Sequence, residues 1–157
     1  MHQLIKKVLL GIGILLIYFL VLRPIRGDVI SFIDSRTTYH GLDYGFVGAT
    51  SINMVSLNNS EQKEMYFKAP FGMFFLFAVM GLLFVGFTVR NTLLLAGLHS
   101  SIWILAFISF KIGVAGSLLF LDIMDFLAGY LLPLCTMGLI PMLLLMKQLK
   151  QTSFNEG

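Results

Sequence analysis

The chain has 157 residues, 57% of them hydrophobic and only 12% charged, with a formal net charge of +3. An ordinary soluble domain is about 25% charged, so a core packed against water is excluded and a bilayer solvent is indicated. The eleven Lys and Arg residues are scattered or flank apolar runs. They form no basic stripe with interleaved aromatics, which argues against nucleic-acid binding. The single Cys135 cannot close an internal disulfide, and no Cys/His spacing suggests a structural zinc site.

In chain order, the basic start MHQLIKK leads into the apolar run Val8 to Leu22 and then RPIRGD. This resembles a secretory signal, but no small-residue cleavage pattern follows it. Residues 1–23 therefore read as an uncleaved signal anchor, its ends extended by snorkelling Lys6, Lys7 and Arg23. A cleaved signal is the alternative, because the run is short for a span of about 20 residues. Pro24 and Gly27 are expected to end this helix.

Residues 24–68 form the one substantial polar segment, expected to lie outside the cytoplasm. Its stretch from Ser31 to Leu57 mixes β-branched and aromatic residues with Gly, Asp and Asn, which favours short strands or a hairpin. The following NNSEQKEMYFK reads as an exposed turn leading into a helix. A helical hairpin over 69–110 comes next, with one span from Ala69 to Val89 that carries no charge and holds Pro70 in its first turn. Arg90 and Asn91 make a short joint, and a further span runs from Leu93 to Phe110, ending at Lys111.

Beyond it, Asp122 and Asp125 would each cost about 2.5 to 3.5 kcal/mol at a bilayer centre. Residues 111–125 are therefore expected to form an interfacial or re-entrant helix, followed by a last span and tail over 126–157. A five-helix reading with a separate span near 104–121 is the alternative. The fold class is thus an all-α integral membrane protein of about four transmembrane helices, a short interfacial or re-entrant helix and an external loop with short strands.

With the N-terminus inside, Lys6, Lys7, Arg90, Lys147 and Lys150 all fall on the cytoplasmic side, and every acidic residue except Glu156 falls outside. Arg23, Arg26, Arg36, Lys63 and Lys68 in the loop argue the other way, but loops of that length still translocate. The expected location is a bacterial inner membrane, multi-pass, with both termini cytoplasmic.

Polar residues inside apolar helices are the places to look for chemistry. Counting from Arg90 puts His99 about 13 Å into a hydrocarbon layer of about 30 Å. Ser100 and Ser101 flank it, and Cys135 lies at a similar depth in the last span. His99 with Cys135, and Arg90 nearer the surface, could form a thiolate and imidazole site. The alternative is structural: His99 and the serines hydrogen-bond to neighbouring helices, and Cys135 packs as a small hydrophobe. Asp122 and Asp125 share a helix face, where they could bind a cation or share a proton, or simply wet an interfacial helix. His2, His40 and His99 have no second ligand at matching spacing, so no metal, haem or other cofactor is expected. The RGD triplet at 26–28 and the Asn58-Asn59-Ser60 sequon both read as chance.

Two family resemblances bear on these residues. Exosortases and archaeosortases are membrane cysteine transpeptidases whose reactive residues run Cys, Arg, His along the chain; here the order is Arg90, His99, Cys135. The stretch YFKAPFGMFFLFAVMGLLFVG from Tyr66 to Gly86, with the span, loop and group of spans around it, resembles small membrane proteins that accompany exosortase systems in Bacteroidetes-type bacteria. That resemblance implies a non-enzymatic accessory or assembly subunit serving protein sorting, surface export or polysaccharide processing, with the lipid bilayer and other membrane proteins as partners. The alternatives are a minimal intramembrane enzyme using Cys135 and His99, and a small transporter or proton-handling subunit. The last would require a homo-oligomer, since few polar residues are available to line a pore.

Overall fold

The apolar run that opens the chain does not stop at Pro24. In the computed structural model, which describes residues 2–40, 43–58 and 61–155, α1 (His2–Ile17) passes through a π-helical turn (Tyr18–Leu22) directly into α2 (Arg23–Ser35). The Arg23 N–H donates to the carbonyl of Tyr18, five residues back. A wider turn makes room for a proline ring that would otherwise meet the carbonyl four residues before it. The device recurs near the C-terminus. A second π-turn (Leu127–Leu131) ends with Leu132 N–H donating to Leu127 O, and Pro133 follows at once. It joins α5 (Leu118–Phe126) to α6 (Leu132–Asn155). The chain therefore does not divide near 125, and the expected short interfacial helix is instead the first part of one long rod.

Residues 43–68 supply the sheet. β1 (Asp43–Gly48), β2 (Ser51–Asn58) and β3 (Glu61–Lys68) form an antiparallel meander in sequential order. The EQKEMYFK run is thus a strand, not the turn entering a helix expected from the sequence. Its apolar residues recur every second position: Met65 and Phe67 are buried and pair with Met54 and Ile52, while Glu64, Tyr66 and Lys68 between them are exposed. Asn59 and Ser60 of the sequon lie outside the described residues.

The second helix is shorter than its apolar sequence suggests. Residues 69–72 are not helical, so Pro70 precedes the helix instead of sitting in its first turn. α3 (Met73–Val85) has 13 residues, a rise of about 20 Å. It ends at Gly86, whose φ of 138° suits glycine. The next helix starts at once, because Thr88 caps it by accepting from the Asn91 N–H at 3.2 Å.

α4 (Val89–Val114) runs past the expected stop at Phe110. Lys111 is accommodated because its Nζ donates to Thr37 Oγ1 at 2.7 Å and to the Arg36 carbonyl at 3.3 Å. Gly116, with φ of 119°, turns the chain into α5, so no separate span covers 104–121. Gly113 is required there: a Cβ at that position would lie 2.5 Å from Leu121 Cδ2 and 3.0 Å from the Leu121 backbone nitrogen.

The described chain is mostly helical, and three of its stretches are long and apolar enough to cross a membrane: Gln3–Ser35, Val89–Val114 and Leu118–Leu149. α3 is an apolar but shorter fourth. Two cores follow from this layout. In the head, the inner face of the sheet (Ile52, Met54, Met65, Phe67) packs on Ile30 and Ile33 of α2, Phe110 and Val114 of α4, and Leu121 and Met124 of α5. In the base, Ala78 and Leu82 of α3 meet Leu95 of α4 and Leu139 of α6. Lys147 Nζ donates to Val85 O at 3.1 Å, which closes the base at the end that also carries Arg90. Asp122 and Asp125 sit on α5, at the head end.

Candidate functional site at the junction of head and base

The sheet of the head passes into α3 of the base through the non-helical strap at 69–72, and His99 and Arg26 both bond to it. Two groups on α4 flank the strap. The Trp103 indole N–H donates to Lys68 O at 2.9 Å, and one turn below, Phe71 N–H donates to His99 Nε2 at 2.9 Å. Phe71 has φ of 55°, a sparsely populated region for a residue with a large side chain. Its ring stacks on the imidazole with centroids 5.2 Å apart, and Phe75 packs against the same imidazole at 5.0 Å.

The second imidazole nitrogen is also committed. Nδ1 lies 3.1 Å from Thr136 Oγ1 on α6, and that hydroxyl donates to Leu132 O one turn earlier. Because Nε2 must accept from a backbone N–H, the proton resides on Nδ1, which donates to the threonine. A single neutral tautomer satisfies every group. His99, only 2% exposed, thereby ties the strap, α4 and α6 together.

On the other side of the strap stands Arg26. Its Nε donates to Pro70 O at 2.8 Å, Nη1 to the Tyr18 hydroxyl at 3.0 Å, and Nη2 to Ala69 O at 3.4 Å. The guanidinium is half-buried, and these partners are two carbonyls and a phenol. Tyr18 is itself 2% exposed and belongs to the first π-turn.

Beside Arg26 the surface opens into two adjoining hollows of about 260 and 300 Å³. Phe19, Arg23, Ala49 and Thr50 line both; Tyr18, Arg26 and Met73 complete the larger. The β1–β2 turn closes over α2 here because Gly27 has no side chain, a Cβ there falling 3.0 Å from Ala49 O.

The residues singled out from sequence fall in different places. His99 lies at the junction, but its partner on α6 is Thr136, one residue from half-buried Cys135 and about 100° further around the helix. With both ring nitrogens bonded elsewhere, the imidazole has no lone pair or proton directed at the thiol. Arg90 is exposed at the N-terminal end of α4, about 13 Å below His99 by helical rise. Ser101 is exposed and bonds to its own helix, donating to Gly97 O at 2.9 Å, instead of to a neighbouring helix. Ser100 is half-buried beside it. Asp122 is exposed and Asp125 half-buried, both on the outer surface of the head.

Among the described residues, no three His, Cys, Asp or Glu side chains gather where a metal could be held. Sequence reasoning missed Arg26, Tyr18 and Thr136. Arg26 was visible only as one of the loop's cations and as part of the RGD triplet. A tyrosine eight residues upstream inside an apolar run was the usable signal, since a buried phenol needs a partner.

No protein-family model matches the chain, and no match is found among curated proteins or solved structures.

Proposed function

We propose that this chain is a non-enzymatic accessory or assembly subunit of a larger bacterial inner-membrane complex, anchored by its helical base and presenting its head to a partner protein. The observation that carries the reading is the commitment of His99: Nε2 holds the strap and Nδ1 holds Thr136 of α6, so this buried imidazole serves structure. The head meanwhile turns a polar surface outward. Tyr66 donates to Glu64 at 2.6 Å, a bond that raises the phenol's pKa above its ordinary value, and Lys68 stands beside them. Such a surface suits water or a protein, not lipid. Lys6, Lys7, Arg90 and Lys147 at the base support an arrangement with that end and both termini in the cytoplasm and the head outside. The resemblance of Tyr66 to Gly86 to exosortase-associated proteins supports a complex acting in protein sorting, surface export or polysaccharide processing.

Co-purification after mild detergent extraction tests the reading. Wild-type protein is expected to carry a partner, and the double variant Tyr66→Ala, Lys68→Glu to lose it while keeping its fold. A wild-type protein that always runs alone and monodisperse would contradict it.

A further inference from the structure

We infer that the cleft between α2 and the β1–β2 turn is a binding site for a phosphate-bearing anion, and that a lipid headgroup is its source. The inference rests on the membrane placement proposed above, not on the docking of a partner protein.

Three observations carry it. First, charge: Arg23 and Arg26 stand three residues apart on α2 and line the same hollow. Their side chains start about 5–6 Å apart, where like charges repel. Arg26's three bonds go to neutral oxygens, so its positive charge is fixed at the cleft wall and meets no carboxylate among the described residues. An anion seated between the two guanidiniums would relieve that repulsion, and guanidinium forks match phosphate oxygens in geometry.

Second, the lining has two chemistries. Thr50 adds a hydroxyl to the two cations, whereas Phe19 and Met73 supply an apolar side. A volume of about 300 Å³ is several times the share of one water, about 30 Å³, and admits a phosphate with a short polar substituent. Third, the place suits an amphiphile. The cleft lies where α1 gives way to α2, and one and two turns below Phe19 on the same face of α1, Leu16 and Ile12 are exposed. Acyl chains can run along these residues while the phosphate stays at the level of the arginines. A soluble phosphate would use the arginines and leave the apolar side unexplained.

Native mass spectrometry of the full chain in detergent, with added phosphatidylglycerol or phosphatidylcholine, tests the site. The wild type is expected to retain one phosphatidylglycerol in preference to phosphatidylcholine. Arg23→Gln should weaken that retention about tenfold, the loss of one charge-assisted contact. Arg26→Gln would also release the strap, so Arg23→Gln is the decisive variant. Displacement of the lipid by millimolar inorganic phosphate would show that a free phosphate is the source; resistance to it identifies the headgroup. Equal retention of the two lipids, or unchanged retention in Arg23→Gln, would overturn the site. Resistance of the protein to carbonate extraction, read in parallel, tests membrane placement separately, so the two failures are distinguishable.

Discussion

Over residues 64–68 of β3 every second side chain is buried, Met65 and Phe67 alternating with exposed Glu64, Tyr66 and Lys68, whereas α3 is apolar on all sides and buries Leu76, Leu82 and Leu83 while exposing Phe74, Phe77 and Phe84. The head is organised as water demands, with one polar and one apolar face. The base has no polar face to turn outward, and in the membrane arrangement proposed here lipid solvates its outer residues. The difference decides what holds each part. Burial drives the head together, while close packing and a few interior hydrogen bonds must do so in the base, since lipid is as apolar as leucine.

Substitutions that separate the two regimes test this contrast. Phe67→Ala removes the ring that stacks on Phe110 at 4.5 Å and should cost about 3–5 kcal/mol, the usual loss for a buried phenylalanine. Hydrogen exchange should then show the sheet opening while α3 and α6 keep their protection. Loss of protection throughout the molecule would mean that head and base are one cooperative unit. Gly113→Ala forces a methyl onto Leu121 at the α4–α5 turn and is expected to cost about 1–3 kcal/mol, read as a lower melting midpoint in detergent.

At the junction the effects should be smaller. His99→Ala and Thr136→Val each break one chain of hydrogen bonds, with a loss of about 1–2 kcal/mol apiece, and the double variant should lose less than their sum. Additive losses would show that the two side chains are not partners. Cys135→Ala and Ser101→Ala should change stability by less than about 0.5 kcal/mol, and Cys135→Ala should leave the host phenotype intact. Loss of that phenotype in a folded Cys135→Ala protein would restore a role for the thiol.

Much of the base was legible in the sequence, because long apolar runs mark helices directly, although the joint between α3 and α4 lies at residues 86–88 and the expected joint residues Arg90 and Asn91 are inside α4. Of the stretch from Ser31 to Leu57, the strands from Asp43 onward were legible from β-branched and aromatic content, whereas Ser31 to Ser35 belong to α2; β3 was not legible, since KEMYFK reads as a strand only once Met54 and Ile52 supply its partners. Pro24 was misleading for a local reason: a single π-turn, invisible to a 3.6-residue period, lets the helix pass a proline. Counting residues placed His99 and Cys135 at one depth. Depth along a helix says nothing about azimuth, and it is Thr136, the next residue, that faces the ring. Arg26 was hidden differently, because its partners at Ala69 and Pro70 are more than forty positions away.

The claim that matters most is that His99 is a structural tie, and ¹⁵N NMR of the labelled imidazole in bilayers measures it most directly. A ring protonated at Nδ1, with Nε2 unprotonated and hydrogen-bonded to the Phe71 amide, is the predicted result. A proton on Nε2, or an imidazole bonded to neither Phe71 nor Thr136, would contradict it.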